Sequence, residues 1–215
     1  MVRMMSICTP RSVVVRVLTE IPLPATREPY YEYDGVYIAK GSPMFPAFRR
    51  ITTERGDDGR SVLAEDIAVE INELGLADFW STSAMPARCD EFYAFGLAPA
   101  RLEPPTSGTI FRYFVIPPQG DNSTASYKEA VKAMFAAMQG SHSQVDTRRH
   151  PAMHTTRTID YVVLLQGQVS LLLDEGDEIP VRPLDVVIQR GTNHYWINRG
   201  SEPALLMAVL LDAVF

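Results

Sequence analysis

The chain has 215 residues, of which 46% are apolar and 21% charged, a composition that indicates a globular domain and excludes a disordered chain. Its net charge of −6 provides no basic surface for nucleic acid or anionic membrane, and no apolar run reaches the roughly 18 residues of a membrane helix. Two cysteines without metal-ligand spacing, Cys8 and Cys89, favour a reducing, cytoplasmic location.

The first 47 residues read as an arm that precedes the main domain. Residues 1–19 hold three arginines and no acid, which is compatible with an organelle transit peptide. The valine-rich segment Ser12–Leu18 favours a β-strand instead. Residues 20–47 carry five prolines and many aromatic side chains, which favour an ordered arm packed on the domain. We therefore divide the chain into an arm, residues 1–47, and a β-barrel, residues 48–215.

The first part of the predicted barrel contains a hairpin and two further strands. Phe48–Thr53 and Ser61–Leu63 flank Gly56-Asp57-Asp58-Gly59, which is a strong turn signal. Phe79–Thr82 and Ile110–Ile116 have the composition of strands. The Pro-, Ala- and Gly-rich stretch between them, residues 84–108, predicts a long loop that covers the barrel mouth.

One helix is predicted, over residues 126–139. Ser126 and Glu129 have the spacing of a capping box, and apolar residues then recur at helical spacing along one face. Gly140 supplies a C-terminal stop.

The last third of the chain is a series of short apolar runs divided by turn residues. Tyr161–Gln166, Val169–Leu173 and Val186–Gln189 are each followed by glycine or by an Asp-Glu-Gly turn. Such spacing predicts an antiparallel all-β barrel or sandwich.

Two short motifs in this region resemble the cupin family. The first cupin motif has two histidines one residue apart, a carboxylate, six residues and a glycine. Here His154 matches the first histidine, Thr156 replaces the second, Asp160 replaces the usual glutamate, and Gly167 follows at the expected spacing.

The second cupin motif ends in a Gly-x-x-His-x-x-x-Asn pattern, which Gly191, His194 and Asn198 match in full. Its first half departs from the family, with Leu184 for a glycine and Gln189 for a proline. The resemblance implies a double-stranded β-helix, a jelly-roll-like barrel with one or two peripheral helices. Single-domain cupins of this kind occur in bacteria and in fungal natural-product clusters.

Side chains two residues apart on a strand share a face. His154, Thr156, Thr158 and Asp160 therefore project together, and the resemblance implies that His194 joins them from a facing strand. Two histidines and one carboxylate, His154, Asp160 and His194, form a candidate site for Zn, Fe or Mn.

Other residues take secondary roles in this interpretation. Thr156 is a poor metal ligand, and His150 is a candidate replacement ligand or acid–base group. We expect Thr156, Thr158, Trp196 and Asn198 to line the substrate pocket, although Asn198 could instead fix a turn. The alternative is that the histidines line a polar pocket without metal.

The resemblance favours a metal-dependent enzyme that tailors a small polyketide- or carboxylic-acid-like metabolite. A lyase reaction, decarboxylation or dehydration, suits a metal that polarises a carbonyl beside a histidine that moves a proton, His150, His154 or His194. The alternatives are a non-haem iron oxidoreductase or dioxygenase and a non-catalytic ligand-binding cupin. Because cupin barrels commonly pair, we also expect a homodimer, with residues 12–37 as the exchanged segment.

Overall fold

The computed structural model of the protein describes residues 30–33, 36–39, 45–90 and 99–215. These contain one α-helix, one short 3-10 helix at Ser141–Ser143 and twelve strands. The strands are β1 Tyr30–Tyr33, β2 Val36–Ala39, β3 Phe48–Arg55, β4 Ser61–Val69, β5 Leu76–Thr82, β6 Thr109–Ile116, β7 Thr158–Gln166, β8 Val169–Leu173, β9 Ile179–Val181, β10 Val186–Arg190, β11 His194–Ile197 and β12 Ala204–Asp212.

Two antiparallel sheets form the main body of the fold. One has five strands in the order β10-β7-β12-β6-β5, and the other has three in the order β11-β8-β9. Their inner faces supply one core, with Leu164 and Leu206 from the first sheet and Leu171 and Trp196 from the second. This arrangement agrees with the predicted all-β class, because each sheet buries one apolar face against the other.

Strand β7 shows how the sequence specifies this layering. Thr158, Asp160, Val162 and Leu164 are buried, whereas Ile159 lies on the outer face, as an alternating strand requires. The strand therefore begins three residues before the predicted Tyr161. It ends at Gln166, before Gly167, which has φ of 89° and lies so close to Ala204 that a Cβ would approach the Ala204 Cα to 2.8 Å.

The predicted hairpin is present and longer than expected. β3 and β4 pair along their length around a tight turn in which the Gly59 amide donates to the Gly56 carbonyl. The hairpin covers part of the outer face of the five-stranded sheet, because Phe48 contacts Phe79 and Tyr113 at ring-centroid distances of 6.0 and 4.9 Å.

The helix α1 spans Ala125–Ala137, one residue earlier at its start and two residues shorter at its end than predicted. Its N-cap is Thr124, whose hydroxyl accepts a hydrogen bond from the Tyr127 amide. The Ser126 hydroxyl donates to the Thr124 hydroxyl instead of capping the helix itself. The capping-box pattern located the helix start to within two residues but assigned the cap to the wrong hydroxyl.

The expectations for the N-terminal arm fall mainly outside the described residues, among them the strand at Ser12–Leu18. Within residues 1–47, β1 and β2 form a separate two-stranded antiparallel sheet. The division at residue 47 stays a prediction. The described parts of the expected loop, residues 84–90 and 99–108, contain neither helix nor strand, and no described helix is long and apolar enough to cross a membrane.

Candidate functional site

His154 and His194 face each other across an antiparallel bridge. The His154 amide donates to the His194 carbonyl and the His194 amide to the His154 carbonyl, each at 3.0 Å. Residues directly opposite in such a pair project to the same side. Their imidazole rings consequently lie 4.5 Å apart between centroids, with their planes tilted by 47°.

Each ring is anchored by a backbone carbonyl two residues before it. The Nδ1 atom of His154 lies 3.0 Å from the Ala152 carbonyl oxygen, and that of His194 lies 2.9 Å from the Thr192 carbonyl oxygen. A carbonyl oxygen only accepts hydrogen bonds, so the geometry assigns the proton of each neutral ring to Nδ1. The lone pair of each Nε2 is then available for a proton, a metal or a substrate.

Burial keeps both rings neutral at pH 7. Desolvation lowers the pKa of His154, against a smaller effect of the Ala152 carbonyl that raises it. Desolvation and then the neighbouring His154 lower the pKa of His194 to about 3. A neutral imidazole in a water-poor environment can act as a base or a ligand, and gains a charge only when a nearby anion forms.

Aromatic rings enclose the pair on two sides. Phe135 of helix α1 lies edge-on to His154 at a centroid distance of 5.1 Å. Trp196, on the same face of β11 as His194, lies edge-on to it at 6.1 Å. These contacts explain the desolvation, because apolar rings occupy volume in which water would otherwise solvate the imidazoles.

The predicted threonines form a buried polar pair on the inner face. Thr156 and Thr158 are both at most 3% exposed, and their hydroxyls share a hydrogen bond of 2.7 Å. The two hydroxyls therefore meet each other's need for a hydrogen-bond partner. Thr156 occupies the position at which a typical cupin has its second histidine. The prediction that they line a substrate pocket stays open.

Asp160 lies further along the same face of β7. It is 6% exposed, and its Oδ1 has no hydrogen-bond partner in the described chain. The facing residue, Gln189, directs its amide to the Thr192 carbonyl and hydroxyl instead. Burial raises the pKa of Asp160 to about 6, and a hydrogen bond from Thr158 and the charge of Arg112 oppose that rise.

The structure brings together two of the three predicted metal ligands. Among the described residues, no three His, Cys, Asp or Glu side chains lie close enough to hold one metal ion. His154 and His194 form a pair, and Asp160 does not join them. The donor set is therefore two anchored imidazoles, which does not fit a metal held by three protein ligands.

His150 lies on the other side of β11. Its ring stacks on Tyr195 at 3.8 Å and 11° and meets Tyr127 edge-on at 5.8 Å. Tyr195 points to the face opposite His194, so the sheet separates His150 from the histidine pair. Its Nδ1 accepts from the Ala152 amide, and burial followed by the charge of Arg199 lowers its pKa to about 4.

Asn198, the other predicted pocket residue of this motif, has its amide fully used by the backbone. Its Nδ2 donates to the carbonyls of Ile116 and Glu202, and its Oδ1 accepts from the Gly200 amide. The side chain is 1% exposed. These contacts match the alternative interpretation in which Asn198 fixes the turn between β11 and β12.

Arg112 is an inward-pointing, positively charged residue that neither of the two cupin motifs includes. It lies on β6 and is 4% exposed, and its Nε and Nη2 donate to the two carboxylate oxygens of Asp78 at 2.8 and 3.0 Å. The strand Ile110–Ile116 was predicted, and a period of two places residue 112 in phase with the buried Ile110. This two-residue alternation is the sequence feature from which an inward-pointing arginine could have been predicted.

Two surface cavities are lined by neither His154 nor His194, although Thr192, which anchors the His194 ring, borders the second of them. One, of about 410 Å³, is lined by parts of β8 and β9 with Arg182 and Arg199. The other, of about 440 Å³, lies beside Leu173, Asp174 and Asn193. Both cavities are open to solvent, and neither contains the histidine pair. The candidate site is therefore assigned from the buried side chains and not from a cavity.

The comparisons with known proteins match a limited part of the chain. A protein named "Phomopsin biosynthesis cluster protein C'" from Diaporthe leptostromiformis is 51% identical over 47 residues, 22% of this chain and 25% of that protein. A "Cupin-domain-containing oxidoreductase fogC" from Aspergillus ruber is 40% identical over 63 residues, 28% of this chain and 31% of that protein. The chain thus spans about a quarter to a third of the length of these relatives. No family model matches it.

The structural comparison gives a remote similarity. A cupin 2 conserved barrel domain protein from Salinispora arenicola has 14% sequence identity and a TM-score of 0.33, and covers 67% of this chain and 82% of that one. The two facing antiparallel sheets and the cupin-named relatives confirm the predicted resemblance to cupins and the predicted double-stranded β-helix class.

The buried histidines make stability depend on pH. Below pH 6.5 the unfolded chain binds protons at His150, His154 and His194 that the folded chain excludes. Asp160 has the opposite effect on stability between pH 3.8 and about 6, because its carboxyl group binds a proton in the folded chain that it has lost in the unfolded chain. His150 and His194 together outweigh Asp160 by about one proton, so the free energy of unfolding should fall by about 1 kcal/mol per pH unit or more on acidification from pH 6.5 towards 4.

Urea unfolding at half-unit pH intervals measures this slope. A variant that removes one contributor, His194→Asn, should show a shallower slope than the wild type. A free energy of unfolding that stays constant or rises between pH 6.5 and 4.5 would contradict the assignment of neutral, buried histidines.

Proposed function

We propose that the chain is a cupin-type enzyme that moves a proton on a small organic metabolite at the His154–His194 pair. The observation that carries the proposal is the pairing itself: the buried imidazole of His194 and the partly buried imidazole of His154, each with Nδ1 held by a carbonyl. This arrangement leaves two adjacent Nε2 lone pairs with fixed orientation, which suits general acid–base catalysis.

The reaction class that fits best is a lyase-type elimination, such as dehydration. One histidine takes a proton from the carbon next to a carbonyl through Nε2 and becomes an imidazolium. The electron pair of that C–H bond forms the new double bond as the hydroxyl leaves, and the imidazolium donates the proton to it, so that water departs. Charges on the imidazolium and on the substrate form together, and their attraction offsets the cost of burying either one.

A resident divalent metal is not part of this proposal. The cupin resemblance implies Zn, Fe or Mn, yet the described residues bring only two nitrogen ligands together. Three protein ligands and an open position are the usual composition of a catalytic zinc site. We infer that the histidines act on the substrate directly, and that Asp160 shapes the buried polar interior.

An oxidoreductase is the second candidate. The printed names of relatives from Aspergillus ruber and Neurospora crassa, which are 40% and 41% identical over 63 residues, describe cupin-domain-containing oxidoreductases. Names from fungal biosynthesis clusters also support a substrate of secondary metabolism. A non-catalytic binding protein is the third candidate, and a small molecule that binds and is recovered unchanged would favour it.

We also propose a homodimer formed through the outer face of β7 and β10. Val186, Ile188, Ile159 and Tyr161 point outward there and are 62, 50, 37 and 44% exposed. Strand register makes them neighbours, because Ile188 lies opposite Tyr161. An apolar surface of this kind on a sheet is typical of a protein interface, and a second copy supplies a matching apolar surface.

Proton transfer is tested with His154→Gln and His194→Gln, and with His142→Gln as the control because His142 is a 63% exposed histidine. A panel of 3-hydroxy acids and their thioesters is incubated in D₂O, and ¹H NMR follows deuterium uptake at carbon and loss of water. The two site variants should react at least about 100-fold more slowly than wild type and control, the usual contribution of an acid–base group. Wild-type rates in His194→Gln would contradict the proposal.

Metal content is measured on protein purified without added metal or chelator. We expect well under one equivalent of Zn, Fe or Mn, because only two protein ligands converge. One equivalent in the wild type that is absent from His194→Ala would contradict the metal-free proposal and favour a metal-dependent cupin.

The oligomeric state is measured by light scattering at micromolar concentration. Ile188→Lys should convert a dimer into a monomer, since a buried lysine would lose its hydration in the interface. Val145→Lys is the control, as Val145 is 69% exposed but lies outside this face. A monomeric wild type, or a dimer that survives Ile188→Lys, would rule out the proposed interface.

A further inference from the structure

The interior of the barrel holds one guanidinium whose hydrogen bonds are only partly used. Arg112 is 4% exposed, and Asp78 on the neighbouring strand binds it through Nε and Nη2. The other terminal nitrogen, Nη1, makes no hydrogen bond within the described residues. Nη1 is not fully buried, so it keeps contact with space that solvent or a ligand can reach.

A second polar group with unused capacity faces the same interior. Asp160 is 6% exposed, and its Oδ1 has no partner in the described chain. Arg112 and Asp160 do not bond to each other, although the positive charge of Arg112 acts on the Asp160 carboxyl group. Buried polar groups are normally satisfied, so the unpartnered Asp160 oxygen on the same inner surface as a partly used guanidinium requires an explanation.

The strand register shows why the two groups remain apart. β12 lies between β6 and β7, with Ala208 opposite both Arg112 and Val162, and with Leu210 opposite Asp160. Two strand spacings of about 4.8 Å each separate β6 from β7. The small Ala208 side chain lies in the row between them, and a short organic acid is long enough to join the two polar groups.

We propose that Arg112 is a substrate-binding residue that holds the carboxylate of a small hydroxy acid. Nη1 donates to the ligand carboxylate, and Asp160 Oδ1 accepts a hydrogen bond from a hydroxyl group of the same ligand. Asp78 positions the guanidinium through its two-point contact, which fixes the plane in which Nη1 points. The proposal rests on the proposed function and adds its substrate class, an organic acid.

The test is a thermal-shift titration at constant ionic strength with 3-hydroxypropionate and 3-hydroxybutyrate, each against its amide. Both acids should raise the Tm of the wild type as their concentration rises, and the amides should not. The variant Arg112→Met with Asp78→Leu removes both charges together, which avoids a lone buried carboxylate. Its apparent affinity for the acids should fall at least tenfold.

A surface pair with the same geometry provides the matched control. Arg49 and Asp66 form a two-point contact at 2.8 and 2.7 Å on the exposed hairpin, and Arg49→Met with Asp66→Leu should leave the response to the acids unchanged. Arg112→Lys keeps the charge without the planar fork and should weaken the response. If the double variant at residues 78 and 112 does not fold, this single variant decides.

Three results would overturn the proposal: no Tm shift with either acid, an equal shift with the amides, or a shift that persists without Arg112. The readout is binding and needs no turnover. A carboxylate response that is retained in His194→Gln, together with wild-type reaction rates in that variant, would reject the proton-transfer function while leaving the Arg112 site in place.

Discussion

The backbone bridge between His154 and His194 is the constraint on which the candidate site depends. Two N–H···O bonds of 3.0 Å hold residues forty positions apart directly opposite each other. A shift of register by one residue would turn one imidazole to the other face of the strand. The bridge fixes the distance between the rings, and a local contact to the carbonyl two residues earlier in each segment fixes the position of the proton.

The interior of the fold combines apolar packing with a few unsatisfied polar groups. Apolar side chains from both sheets fill most of the core, and this packing removes water from the histidines and from Asp160. Desolvation then works in opposite directions, because it lowers the pKa of the histidines and raises that of the carboxyl group. At pH 7 the histidines are therefore neutral and can take protons from a substrate, whereas Asp160, with a pKa of about 6, is mostly ionised.

The sequence predicted correctly those features that depend on the two-residue period of strand side chains and on the motif residues. The inward face of β7 follows from the period of two, and the resemblance to cupins predicted that His154 and His194 would meet. The three-ligand metal set required more than spacing, because side-chain reach and direction decide whether Asp160 joins the pair. His150 lies close to His154 in sequence, but the stacking on Tyr195 that holds it on the other face is a tertiary contact. Arg112 lay within a predicted strand, and its role depends on Asp78, 34 residues away.

The central claim is that both rings are neutral, carry their proton on Nδ1 and leave Nε2 unprotonated. Nitrogen-15 NMR of the imidazoles at pH 7, assigned with His154→Gln and His194→Gln, measures this directly because protonated and unprotonated ring nitrogens have well-separated shifts. The account predicts a protonated Nδ1 and an unprotonated Nε2 for both residues at pH 7, and for His194 the same state down to pH 5. Protonation of Nε2 in either ring, or an imidazolium at pH 7, would contradict it.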